Sequence, residues 1–207
     1  MTPRTAGIAD GPGRPLDPRT VRTRQAALAA VRELLVESGL SGVTHVTVAA
    51  RSGVGRSTLY RYWPDVPSMV SDVIAELRVA ITPAPSGDLA TDLVTLLNGT
   101  REMLHHPASE RAMRALIERA GIDPAYTDLQ SQLHAAGAAV IEQFLQAGIK
   151  RGDVPDDLDV ELAVAQLAGP LFYQRLLADG EVSAEMVTKV VDAWIQVYAP
   201  GRGEGGS

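Results

Sequence analysis

The sequence predicts an all-α protein. Three observations carry that reading: apolar residues recur with helical period along nearly the whole chain, glycine and proline break the pattern into helix-length segments, and no stretch alternates as a strand would. At 207 residues, with 45% hydrophobic and 21% charged, the chain has the length and composition of a folded globular protein with a sizeable core.

The elements follow in order. Residues 1–16, rich in Gly, Pro and Arg, read as a disordered arm. Asp17 is placed to cap a helix with Pro18 at its first position, and Ala27, Leu28, Val31, Leu34 and Leu35 then share one face until Gly39 stops it. Thr44 is placed to cap a short second helix that turns Val48 and Ala49 inward and closes at Gly53. A third helix starts near Arg56 and runs to about Tyr62. A short helix, a tight glycine turn and a second short helix make a helix-turn-helix, a unit whose second helix can enter a major groove. Val54, Leu59 and Trp63 are expected to pack that helix inward, which leaves Arg56, Ser57, Thr58, Tyr60, Arg61 and Tyr62 facing out, with Thr44 at the start of the preceding helix. Arginine can hold a guanine edge through two hydrogen bonds, whereas hydroxyls and tyrosines hold phosphates and fix the register. The other reading of the same residues is a solvated helical hairpin with an aromatic plug.

Charge agrees with a nucleic-acid partner at this end. Residues 1–65 carry nine arginines against five acids, a net +4, while the remainder carries ten basic and twenty acidic residues, a net −10. The chain has no cysteine, which excludes a disulfide scaffold, a thiolate metal site and a cysteine nucleophile, and fits a reducing cytoplasm. The N-terminus lacks the apolar core of a signal peptide, and no segment has the uninterrupted apolar length of a membrane span, so a soluble, cytoplasmic protein with no membrane partner is expected. A phosphate loop, a nucleophile elbow, a zinc-binding helix with paired histidines and a glycine fingerprint after a strand are all missing, which argues against an enzyme and against a cofactor. His105 and His106, with Glu102 or Glu110 nearby, have the residue types of a metal site, but a histidine pair at a helix end before proline reads more simply as a solvated terminus favoured by the helix dipole, and no metal is expected.

The stretch VTVAARSGVGRSTLYRYWPDVPSMV, residues 46–70, resembles the DNA-binding signature of TetR-type bacterial transcription regulators. Val48-Ala49, Ser52-Gly53-Val54-Gly55, Thr58-Leu59-Tyr60 and Tyr62-Trp63 match that signature position by position. Two positions depart from it. Gly55 stands where a serine usually caps the recognition helix, and Val66, followed by Pro67, stands where a lysine usually provides a phosphate contact. Arg61, or Arg4 and Arg14 in the arm, are the residues available to compensate.

The resemblance extends by layout to the rest of the chain. A connecting helix is expected over residues 65–80, with Asp65 as cap and Pro67 in the first turn, ended by TPAPSG. Helices are then expected over 88–105, 107–120, 124–151, 159–178 and 184–198, with Pro170 bending the fourth of these, before a disordered tail at 200–207. The implied organisation is a DNA-binding domain at 17–64 followed by a helical ligand-binding and dimerisation domain at 65–199. The resemblance implies a double-stranded operator, an unknown small-molecule effector and a second copy of the chain as partners. It also implies a repressor, although a helical binding module whose head has lost DNA affinity remains open because of Val66. Candidate ligand residues on the central helices are Met103, Leu104, Met113, Leu116, Ile117, Tyr126, His134, Ile141 and Phe144, for which a plain core role is the competing reading. Candidate dimer-interface residues on the last two helices are Leu162, Ala165, Gln166, Gly169, Phe172, Tyr173, Val187, Val191 and Trp194.

Overall fold

A computed structural model of the chain describes residues 17–79 and 86–199. The expected arm, with Arg4 and Arg14, the tail and most of the TPAPSG break lie outside these residues. The described residues contain nine α-helices and no strand.

The first helix, α1 (Pro18–Ser38), starts as its sequence dictates: the Asp17 carboxylate accepts from the Arg19 amide, and Pro18 occupies the first turn, where no backbone donor is missed. A single 3-10 turn at Leu40–Gly42 leads to α2 (His45–Ser52). Thr44 and Thr47 form a reciprocal capping box there, each side chain accepting from the other residue's amide. Gly53 ends α2 at φ 71°, a left-handed conformation that a side chain would strain. The next helix, α3 (Arg56–Tyr62), begins at Gly55 with no side-chain cap. Then come α4 (Val66–Val79), α5 (Leu89–His105), α6 (Pro107–Ala120), α7 (Pro124–Arg151), α8 (Val160–Phe172) and α9 (Ala184–Tyr198). Asp88, Asp123, Asp159 and Ser183 cap α5, α7, α8 and α9 through side-chain bonds to first-turn amides.

The expected helix over 159–178 is divided. It is α-helical only to Phe172, and Tyr173–Leu177 form a π-helical turn. Pro170 has no amide to return to the carbonyl four residues back, so the ladder cannot continue unbroken through this point. Carbonyls of the altered turn find another donor: the Arg114 guanidinium of α6 donates to Arg175 O at 2.8 Å and Leu176 O at 2.9 Å.

Packing does not divide at the end of the head. One buried cluster joins α1–α4 to Ala108, Ala112 and Leu116 of α6 and to Tyr126 and Leu129 of α7. The other joins α5, the second half of α7, α8 and α9. Met113 touches both. Each fully buried aliphatic side chain stabilises the fold by roughly 1.5–3 kcal/mol relative to exposure, so α4 and α6 are held to the head by several such contacts.

Candidate nucleic-acid interface and interior cavity

The head is assembled around α3. Leu59 and Trp63, one turn apart, are buried and fasten the helix inward. The Trp63 indole N–H donates to the Asp72 carboxylate of α4 at 2.8 Å, and Arg24 of α1 bonds the same oxygen while its guanidinium lies 5.1 Å from the Trp63 ring centroid. His45, the first residue of α2, is buried and donates from Nε2 to the Trp63 carbonyl at 2.7 Å. Its ring stacks on Tyr60 with centroids 3.8 Å apart and planes 10° from parallel. On the other side of the head, Arg51 of α2 makes a two-pronged bond to Glu37 of α1, at 2.9 and 2.7 Å, and reaches Glu33 at 3.1 Å. The hydrogen bonds from Arg51 hold the Glu37 carboxyl below its ordinary range, and those carboxylates hold the Arg51 guanidinium still more firmly protonated.

What this scaffold leaves outside decides what it can touch. Arg56, Ser57, Tyr60 and Arg61 are exposed, Thr58 and Tyr62 are half-buried, and Thr44 is exposed but holds the α2 cap. Tyr62 also packs against the core: Arg61 sits 5.1 Å from its ring centroid and Arg24 5.8 Å. A hydrogen bond from Thr20 holds the Tyr62 phenol below its ordinary range, against a smaller opposing effect of burial and with added help from Arg61 and Arg24. That bond brings the first turns of α1 up to the end of α3. Arg19 and Arg22, exposed and three residues apart, lie in the same first turns of α1. Sequence reasoning missed these two, and their spacing on the first turn of a capped helix was the available signal.

Among the described arginines of the head, Arg24, Arg32 and Arg51 are held in ion pairs, whereas Arg19, Arg22, Arg56 and Arg61 have no carboxylate partner among the described residues. Val66 is half-buried at the start of α4 and packs on the head's core, and Asp65 caps the helix by accepting from the Ser68 amide at 2.8 Å. The start of α4 thus carries an acid and an apolar side chain where a lysine was the expected type.

The body holds a partly open cavity of about 420 Å³ between α4, α5, α6, α7 and α8, with Ile117, Gln130 and His134 exposed at its rim. Met103, Met113, Leu116, Ile117, His134 and Ile141 line it, joined by Thr100 and Gln130, which sequence reasoning did not select. Leu104, Tyr126 and Phe144 do not reach it. They are buried in the two cores, since the same helical period that marks a cavity wall also marks ordinary packing. Ile74 of α4 closes one side. Among the described residues no three His, Asp or Glu side chains converge as a metal site requires. His105 bonds the Arg101 carbonyl at 2.8 Å, and Glu110 bonds Arg114 and Arg175.

The last two helices divide their expected interface residues. Leu162, Ala165, Gln166, Gly169 and Tyr173 are exposed and Phe172 is half-buried, so α8 presents a face. Val187, Val191 and Trp194 instead point into the chain's own core, and the Trp194 indole donates to Gln166 at 3.2 Å, tying α9 to α8. An amphipathic helix turns its larger apolar residues to whichever surface it meets first, and α9 meets α5.

A helix-turn-helix head with free guanidinium groups, carried on a helical body with an interior cavity, defines a DNA-binding protein of the regulator class. The family model described as "Bacterial regulatory proteins, tetR family" matches residues 27–65, and the one described as "Tetracyclin repressor-like, C-terminal domain" matches residues 83–194. The uncharacterized HTH-type transcriptional regulator Rv1556 of Mycobacterium tuberculosis is 30% identical over 189 residues, 89% of this chain and 91% of that protein. The uncharacterized HTH-type transcriptional regulator YdeS of Bacillus subtilis is 26% identical over 176 residues, 84% of this chain and 88% of that one. Among solved structures, the TetR family transcription regulator SCO0332 superposes with a TM-score of 0.72 at 27% identity, covering 84% of this chain and 97% of that one. The chain belongs to the TetR family of bacterial transcription regulators: it is a DNA-binding regulator and not an enzyme. No described helix is long and apolar enough to cross a membrane.

Proposed function

We propose that the protein is a cytoplasmic, homodimeric, ligand-responsive repressor that reads a near-palindromic operator. The observation that carries the ligand response is the double use of α4. Ile74 forms part of the cavity wall, while Asp72, two residues earlier on the same helix, holds Trp63 at the end of α3 and Arg24 of α1. A ligand that displaces Ile74 moves the helix to which the reading head is fastened. Its effect is limited to its difference in affinity for the two arrangements, and a coupling of about 1–3 kcal/mol shifts operator affinity roughly 5- to 150-fold.

In this reading Arg56, Ser57 and Thr58 at the start of α3 face base edges, and Thr44, Tyr60, Arg61 and Tyr62 face phosphates, with Arg19 and Arg22 beside them. Two copies join through the exposed face of α8 and the π-helical turn, where Ala165 and Gly169 allow close approach and Leu162 and Tyr173, 49% and 62% exposed, offer apolar area. The pairing sets the two recognition helices about 34–36 Å apart, one turn of DNA. A second reading, a binding module with a head that no longer reads DNA, draws on Val66 and Asp65 at the start of α4.

A titration of duplex DNA from the region upstream of the protein's own gene, followed by fluorescence anisotropy at several salt concentrations, tests the proposal. Wild-type protein is expected to bind with affinity falling steeply as salt rises, and Arg56→Ala and Tyr60→Ala are expected to lose binding while keeping helicity and dimer mass. Equal binding by wild type and both variants would remove α3 from the reading role.

A further inference from the structure

We infer that the interior cavity takes an uncharged, flat, largely apolar molecule carrying a hydrogen-bonding group at one end, and that Gln130 and His134 orient that end. The inference rests on the cavity being the effector site of the proposed regulator, and it names the chemistry of the effector.

Charge gives the first argument. None of the described residues lining the cavity is Asp, Glu, Lys or Arg. A charged ligand drawn into this space would lose its water without gaining a partner, which costs far more than burying a neutral group. The arrangement along α7 gives the second. Gln130, His134, Gly137 and Ile141 lie along one face at steps of four, three and four residues, so this wall runs from polar, through bare backbone, to apolar. Gln130 and His134 are exposed at the rim of the cavity, where their side chains have no hydrogen-bond partner among the described residues and together offer donor and acceptor atoms one turn apart. Thr100, the other polar lining side chain, is already bonded to the Leu96 carbonyl.

Shape gives the third argument. Gly137 on α7 lines the cavity, and a side chain built there would meet nothing within 4 Å. α7 therefore presents backbone at this step, which leaves room for the edge of a ring beside it. Met103, Met113 and Phe172 line the same space. Thioether sulfur and an aromatic ring both gain from contact with a flat π-system, by about 0.3–1.5 kcal/mol for each such pair. The volume of about 420 Å³ lies in the lower part of the range of small-molecule sites.

The purified full-length protein is to be titrated with 1-aminoanthracene, an uncharged three-ring fluorophore with one amino group. The comparison probe is 8-anilinonaphthalene-1-sulfonate, of similar ring area but anionic, and 1-decanol serves as a neutral, flexible competitor. The expected result is one 1-aminoanthracene per chain, bound at least about tenfold more tightly than either comparison compound. Gly137→Leu, which fills that room, is expected to weaken binding about tenfold or more with helicity and melting midpoint retained. Should that variant unfold, Ala168→Leu on the opposite wall makes the same test. Gln130→Leu combined with His134→Leu is expected to weaken the amino-bearing probe severalfold while leaving anthracene, which lacks the amino group, unchanged.

Absence of 1-aminoanthracene binding, equal affinity for the sulfonate or for decanol, or undiminished binding by the folded filled-cavity variants would overturn the inference. Adding the bound probe to the protein–operator complex separates it from the regulatory reading. Tight binding with no release of DNA would support the ligand class and count against the ligand response.

Discussion

The head and the body solve opposite problems with the same material. In the head, small helices are locked to one another by side-chain bonds between elements: Arg51 to Glu37, His45 to the Trp63 carbonyl, and Trp63 to Asp72. In the body, longer helices surround a space of about 420 Å³ that no side chain fills. A surface that reads DNA gains from fixed positions, because base contacts tolerate little displacement. A surface that admits a ligand needs room. The difference places rigidity and give on either side of α4, which shares with α6 a place in both the head's core and the cavity wall.

The largest effect is expected where the head's lock meets its core. Trp63→Ala removes a side chain only 2% exposed and leaves a cavity, at a cost of about 3–5 kcal/mol in urea unfolding. A loss below about 1 kcal/mol would show that the head is less tightly built than the comparison holds. Next comes the joint itself. Asp72→Ala leaves the Trp63 indole and the Arg24 guanidinium without their shared acceptor, and since the carboxylate is 34% exposed the stability cost is held to about 1 kcal/mol. Its larger consequence is for coupling: ligand affinity is expected to stay near wild type while ligand-induced release of operator falls several-fold, read by anisotropy with and without 1-aminoanthracene.

Smaller effects sharpen the picture on each side. Arg61→Ala is expected to weaken binding to all sequences alike and to lower the salt slope by about one ion, as loss of a single phosphate contact does. Gly137→Ala adds a methyl group to open space in the middle of α7, so it is expected to stabilise the body by about 0.5–1 kcal/mol in thermal unfolding. The smallest effect concerns pH. Glu37 titrates below its ordinary range in the folded head, so the stability from its pairing with Arg51 is full above the unfolded value and is lost as pH falls through the folded one. Replacing Glu37 with Gln is expected to flatten that acid limb of the stability profile and leave the neutral region little changed.

The residues that made the fold legible are those that act on their own neighbours. Pro107 and Pro124 open α6 and α7, Thr44 caps α2 and Gly53 closes it, and each signal is complete within one turn of the chain. The local pattern over 159–178 predicts one bent helix, whereas past Phe172 the backbone takes a π-helical turn. Contacts between distant residues carried no such signal. His45 reaches the carbonyl of a residue eighteen positions away, Arg24 reaches Asp72, and neither pairing leaves a local pattern. Helical period also cannot tell which wall a residue faces. It selected Met113 and Ile141, which line the cavity, together with Phe144 and Leu104, which fill the core beside it. On α9 it selected Val187, Val191 and Trp194 as a face toward a partner, whereas they face α5 and α8 within the chain.

Selection of binding sites from random duplex DNA with the purified full-length protein tests the central claim most directly, because it needs no knowledge of the gene's neighbourhood. The account predicts an enriched near-palindromic site with half-sites about 10 base pairs apart, and loss of that enrichment with Arg56→Ala. Failure of the wild-type protein to enrich any sequence over repeated rounds at low salt would contradict it.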